Sequence, residues 1–546
     1  MKTVLNKLTN WKIGLGIIIL LAAFLRFYQL GQNPPSLTWD EAAWGYNAYS
    51  IGIDGRDEFG RFLPVDYLES FGDFKPPMYA YLDIFPVRIF GLNEFTTRFP
   101  SALFGLLTVI TTYFLVKRIF WKSKLKESYV LMSALILAIS PWHIMLSRAA
   151  FEANVATFFI VLGVWLFLLS MQSKRWVLLL SVISFVLSIY TFNTARIVVP
   201  ILILVLAFGF RKELLKGKKE VIIAIAFGII LILPTLQFLL SPQASLRFKE
   251  VNIFSDINII KKSNQDIEND GNTLLSKIIH NRRVLYSIEY LKHYFDNLDP
   301  KFLFIKGDGN PKFSTQEVGQ MYVWDIPFIL AGILFIFGRR EGRWWLIPLW
   351  IIVGIIPAAT ARETPHALRI ETILPTFQIL SAYGFVQVLS LFKRYKKQIA
   401  CVLFFFLALN FVYFAHTYFV EYPRKFSGEW QYGYKESIEY IKSVEKNYDA
   451  IVATNELGRP YIYYLFYNKT DPGFFRKTAD VQRDVFGFVT VSSFGKYSFT
   501  KYLSQKPDNS RKILYVDRVS RIPMGASIQK TFNLLNGDPV LSAYTL

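Results

Sequence analysis

Two carboxylates stand side by side at Asp40 and Glu41, in a stretch from Leu37 to Tyr49 that also carries Trp39, Trp44, Tyr46 and Tyr49. A carboxylate against an aromatic wall is expected to be partly desolvated, which strengthens it as a general base for a hydroxyl group. Thr38 to Glu41 also fits a capping box, in which Glu41 closes the start of a helix. That structural role leaves Asp40 free for chemistry. A second candidate follows at Asp73-Phe74-Lys75-Pro76-Pro77. Two prolines predict a helix start. An ammonium at such a start, where the helix dipole also favours anions, makes a phosphate site. The plainer reading of Lys75 is a lysine reaching to the membrane surface.

Three further stretches put charge beside apolar runs. Arg148 and Glu152 are four apart, a spacing that predicts one helix face. Asn193 and Arg196 lie in a short polar break, and His366 and Arg369 in another. Arginines at a membrane rim are costly and are functional candidates by default. Several around one cavity would suit a phosphate-bearing ligand; singly, each fits an interfacial anchor. The five histidines, His143, His280, His293, His366 and His416, form no metal-ligand pair by spacing. No cofactor is assigned, and dependence on a divalent metal stays open.

The elements that must position these residues follow from composition. Of 546 residues, 53% are hydrophobic and 19% charged, the profile of a polytopic membrane protein. Apolar runs near 12–30, 98–120, 127–146, 151–171, 176–192, 197–210, 220–240, 322–338, 344–361, 371–392 and 398–418 predict about eleven spans. The net charge of +20 comes from clusters such as Lys117-Arg118, Lys174-Arg175 and Arg339-Arg340. They fall in every second loop, so they report topology and not nucleic-acid binding. The basic side is the cytoplasm and holds the N-terminus, whose first apolar run reads as an uncleaved signal anchor. The loops 31–97 and 241–321 then face outward. So does the polar tail 422–546, which follows the membrane core 1–421. In the tail, Tyr434–Lys446 predicts a helix. Residues 449–454, 486–492 and 512–517 predict strands of a small α/β domain.

The acidic pair after the first span, the Lys75-Pro76-Pro77 helix start and Ser147-Arg148…Glu152 resemble the GT-C glycosyltransferases. Within them the likeness is to family 39, the protein mannosyltransferases and aminoarabinose transferases with their bacterial relatives. Leu303–Pro311 and Pro365-His366-Ala367-Leu368-Arg369 also resemble stretches of the bacterial members. The resemblance implies a GT-C type membrane fold of about eleven helices. It also implies transfer of a sugar from a polyprenyl-phosphate donor to an extracytoplasmic glycan, lipid or protein, with inversion at the plasma membrane. It makes Asp40 the catalytic base with Glu41 beside it, and Lys75 the contact to the lipid phosphate. Arg148, Arg369 and Arg196 are further phosphate candidates; Asp73, Glu152, Asn193 and His366 are candidates to line the cavity. The chain departs from the pattern at Phe74, where aminoarabinose transferases carry glutamate, and at Lys312-Phe313, where many relatives read Arg-His. Two other classes share some of these features. A lipid-linked sugar transporter or flippase should show a repeat between halves, which is not seen. A membrane scaffold should lose all function without its outer domain, whereas a transferase core is expected to keep phosphate binding.

Overall fold

In the computed structural model, residues 2–241, 244, 252–484, 488–501 and 511–546 are described, with side chains from residue 11 onward. The chain divides into two compact units that do not follow a single cut after residue 421. The first comprises Met1–Leu25, Phe104–Leu146 and Ala153–Phe414. The second joins Arg26–Leu103 and Ser147–Glu152 to Ala415–Leu546, so the loop 31–97 and the tail build one body.

Apolar helices lie in each of the eleven expected spans. Four meet the length and hydropathy of a membrane crossing unaided: Glu94–Ile119, Glu152–Ser170, Lys218–Leu239 and Lys396–Lys425. The third expected span is two helices, Lys126–Ile139 and Pro141–Arg148, bent by 54°. The bend falls before Pro141, which cannot continue the hydrogen-bond ladder. Shorter apolar helices of 10–17 residues occupy Val177–Ile189, Ala195–Gly209, Leu346–Thr360 and Thr376–Leu391. The helices Asp325–Arg339 and Thr376–Leu391 touch backbone to backbone. A Cβ on Gly384 would lie 1.9 Å from the Phe328 carbonyl oxygen, and one on Gly332 2.3 Å from that of Leu380. Small residues permit this approach where packing, not hydrophobic burial, holds helices together in lipid.

The second unit is built on a helix, a hairpin and a sheet. Thr38 caps the Trp39–Asp54 helix with the expected capping box, and Gly55, at φ 76°, ends it. Strands β1 (Leu68–Ser70) and β2 (Asp73–Lys75) form a hairpin in which Leu68 faces Lys75. Its two turn residues, Phe71 and Gly72, both have positive φ, 61° and 82°. Such turns match the twist of the flanking strands. The Met78–Phe90 helix starts directly after the two prolines, with Pro77 as its cap.

The tail contributes β3 (Ala450–Thr454), β4 (Asp480–Arg483), β5 (Val489–Phe494), β6 (Tyr497–Thr500), β7 (Ile513–Asp517), β8 (Ser527–Asn533) and β9 (Pro539–Thr545). They form one sheet in the order β4-β5-β6-β3-β7-β9-β8. Central β3 runs parallel to β6 and β7, and the remaining pairs are antiparallel. The expected helix appears at Tyr434–Val444, with Ile438 and Ile441 buried. Two expected strands appear as β3 and β7, and the third as β5; residues 486 and 487 of that expectation lie outside the described residues. Ala42, Ala43 and Tyr46 of the Trp39–Asp54 helix share a core with Tyr461, Ile462 and Phe466 of the Pro460–Asn468 helix, and with Ile451 and Leu514 of the sheet.

Candidate active site

Glu41 is fully buried and fully engaged. Its carboxylate accepts the Thr38 N–H at 2.9 Å, the Ala150 N–H at 2.9 Å and the Arg98 Nε at 2.8 Å. Arg98, also buried, donates in addition to the carbonyls of Leu30 and Pro34, at 3.2 and 2.7 Å. Both charges therefore give up water for a complete set of partners, the condition under which a buried ion pair is tolerated. Glu41 is a positioning residue: it ties the helix start to the segments 30–36 and 148–152. Sequence reasoning missed Arg98, although an arginine in the first turn of an apolar span was itself a signal.

Asp40 points the other way. Its side chain is 49% exposed, so the desolvation expected from Trp44 and Tyr46 does not surround it; those rings are buried behind it. Its partner is Lys75, whose ammonium donates to the Asp40 carboxylate. Lys75 reaches that position from the end of β2, with its ammonium 5.2 Å from the Trp44 ring centre and 5.7 Å from that of Phe71. Burial works against its charge. Asp40, Asp73 and Glu152 outweigh that and hold Lys75 above the usual lysine range. Four of the expected residues thus form one electrostatic group: a lysine among three carboxylates.

Arg148 and Glu152 do not share a helix face. The Pro141–Arg148 helix ends at Arg148, and Glu152 begins the next one. The intervening Ala150 gives its N–H to Glu41 instead of a helix carbonyl. Arg148 is fully buried, donates to the Asn33 carbonyl at 2.8 Å and lies over the rings of Phe419 and Tyr418.

The remaining expected residues belong to the first unit. Asn193 is exposed. Arg196 lies over Phe238, and two of its guanidinium nitrogens are buried without a hydrogen-bond partner among the described residues. His366 and Arg369 meet a residue 58 or more positions earlier: Asp308 accepts the Ala367 N–H at 2.6 Å, and the His366 Nδ1 lies 3.9 Å from its carboxylate. The two stretches that carried the resemblance in this half of the chain are therefore one structure. Burial raises Asp308 to about 6 and, with Arg369 beside it, lowers His366 to about 3, so the imidazole is neutral. Among the described residues no group of three or more His, Cys, Asp or Glu side chains is arranged to hold a metal ion.

Comparison with known proteins gives this geometry its context. Residues 74–238 match the family described as dolichyl-phosphate-mannose-protein mannosyltransferase. An uncharacterized protein of Aquifex aeolicus is 31% identical over 207 residues, which are 37% of this chain and 39% of that one. The putative mannosyltransferase YkcB of Bacillus subtilis is 24% identical over 168 residues, 30% of this chain and 22% of that one. The chain thus spans less than two thirds of either relative. ArnT from Cupriavidus metallidurans, solved in the apo state and bound to undecaprenyl phosphate, aligns over 98% of both chains with a TM-score of 0.53, at 11% and 12% identity. The fold is that of a multi-pass GT-C membrane protein with a strand-rich C-terminal domain. Residues 74–238 thus resemble that mannosyltransferase family, and the fold is shared with ArnT.

Proposed function

We propose that this protein is a membrane glycosyltransferase that moves a sugar from a polyprenyl-phosphate donor to an acceptor outside the cytoplasm, where the tail domain also lies. The observation that carries the reading is the Asp40–Lys75 pair: a half-exposed carboxylate at a helix start and a buried ammonium at the end of a hairpin. A donor phosphate would compete with Asp40 for Lys75 and so free the carboxylate. Asp40 then accepts the proton of the attacking acceptor hydroxyl. The acceptor oxygen bonds to the anomeric carbon as the carbon–oxygen bond to phosphate breaks. The electron pair leaves with the phosphate, whose charge Lys75 stabilises. Attack opposite the leaving group inverts the anomeric centre.

The supports are a family match over 74–238, which includes Lys75, and the fold shared with an ArnT solved with undecaprenyl phosphate. Asp73 and Glu152 are proposed to set the charge of Lys75. The test is transfer from a panel of polyprenyl-phosphate sugars to envelope extract, using membranes carrying each variant. Asp40→Asn and Lys75→Ala should each lower transfer by about 100-fold or more, the usual weight of a lost base or of a lost charge stabiliser. Wild-type rates in both variants would end the proposal.

A further inference from the structure

The carboxyl ends of the three parallel strands carry a group that the transfer chemistry does not use. β3, β6 and β7 end at Thr454, Thr500 and Asp517. The next residues on these strands include Glu456, Lys501 and Arg518, and Arg521 follows one turn later. Arg521 donates to the Glu456 carboxylate at 2.7 Å, and Lys501 and Arg518 stand 3.9 Å from it. Asp517 is buried and bonds the Arg518 N–H at 2.7 Å. The outward side is thus one carboxylate shared by three cations, each of them 39–54% exposed.

Its place in the fold is the second observation. From β3 the chain builds β4, β5 and β6 on one side and then places β7 on the other, so strand order reverses at β3. In open α/β sheets, ligands bind outside the carboxyl ends at such a reversal.

The third observation is what lies against this edge. The loop leaving β3 presses on Trp39, the neighbour of Asp40: a Cβ on Gly458 would lie 2.7 Å from that ring, and the glycine has φ 110°. The next residue, Arg459, has its guanidinium 5.7 Å from the ring centre of Phe71, in the turn that presents Lys75. One five-residue loop therefore joins the cationic edge to both supports of the candidate active site.

We propose that the edge formed by Lys501, Arg518 and Arg521 is an acceptor subsite that binds an anionic group, phosphate or carboxylate, on the acceptor. It rests on the transferase reading above and adds the charge class of the acceptor. Guanidinium forks suit both oxyanions. Exchange of Glu456 for a ligand oxyanion keeps the cations paired when the site is empty and when it is full.

The test uses the purified full-length protein in detergent with glucose 6-phosphate, glucuronate and glucose as probes, read by titration calorimetry. Binding of either anionic sugar, but not of glucose, is expected, and the response of each names the oxyanion. Arg518→Ala/Arg521→Ala should weaken that binding at least about tenfold, the weight of one lost charge-assisted contact. Arg521→Lys, which keeps the charge, should restore part of it. Equal responses to all three sugars, no response to any of them, or undiminished binding in the double variant would overturn the subsite. The two readings fail separately: probe binding that survives while no donor is used removes the transferase and keeps the anion site.

Discussion

At the scale of single residues, adjacent carboxylates have opposite fates because one helix start faces them in opposite directions. Glu41, at the third position of its helix, turns back to Thr38 and meets Arg98; Asp40 faces Lys75. The capping box was legible in the sequence, so the structural role of Glu41 could be read there. Arg98 could not be chosen as its partner, because 57 residues separate them and only the fold closes that distance. A second buried carboxyl nearby makes a pH prediction. Burial, with Asp57 adding to it, raises Glu58 to about 8, against smaller opposing contributions from Ser70 and Asn47. Unfolded, the same group titrates near 4.5. Its contribution to stability is therefore complete below about pH 4.5 and is lost as pH rises through about 8, because the folded state holds the proton longer. The loss is on the order of 5 kcal/mol. Melting temperature in detergent should fall between pH 5 and 9 in the wild type, and the fall should be shallower in Glu58→Gln. Parallel curves would place the titration elsewhere.

At the scale of elements, the hairpin that presents Lys75 is too short to hold itself. Two three-residue strands joined at Phe71 and Gly72 are far below the size that is stable alone in water. Non-glycine residues at positive φ are costly as well. The sequence showed the lysine and the prolines but predicted no hairpin, since its runs are too short for periodicity to register. What holds it lies 400 residues further on. Arg483 of β4 makes two hydrogen bonds to Glu69 of β1, and Phe71 packs edge-on against Tyr461 at 5.8 Å. Glu69 is buried, so removing its partner leaves an acid without compensation, a cost of about 1–2 kcal/mol. Arg483→Ala should speed hydrogen exchange of amides 68–75 by about tenfold and leave β3 and β7 unchanged. Unaltered exchange in the hairpin would show that the aromatic packing alone suffices. The Arg148–Glu152 expectation failed at this same scale: a spacing of four is a helix face only where a helix runs, and Ala150 spends its N–H on Glu41.

At the scale of the whole molecule, the sequence marked the apolar helices and the strand-bearing tail as separate kinds of material, because hydropathy is a local property. It could not show that residues 26–103 fold with the tail, because that partition depends on which distant surfaces bury each other. The consequence is a prediction opposite to one expectation. A transferase core lacking its tail was expected to keep phosphate binding. Yet Ala42, Ala43 and Tyr46, on the helix that begins at Asp40, are buried in a core shared with Tyr461, Ile462 and Phe466. Gly45 lies so close that a Cβ would be 2.6 Å from the Phe466 ring. The Tyr463 hydroxyl donates to the Leu37 carbonyl at 3.1 Å, just ahead of the cap. Without the tail, this helix would expose an apolar face and lose the contact that fixes its start. Each buried large side chain that becomes exposed costs about 1.5–3 kcal/mol, so a few suffice to unfold the loop. A protein ending at residue 421 should therefore insert its helices yet lose binding of polyprenyl phosphate, measured by quenching with a fluorescent lipid analogue. Co-expression of residues 422–546 as a separate chain should restore binding if the two surfaces reassociate. Retention of full affinity by the truncated protein would mean that Lys75 needs none of these supports, and would move the phosphate site to the arginines of the first unit.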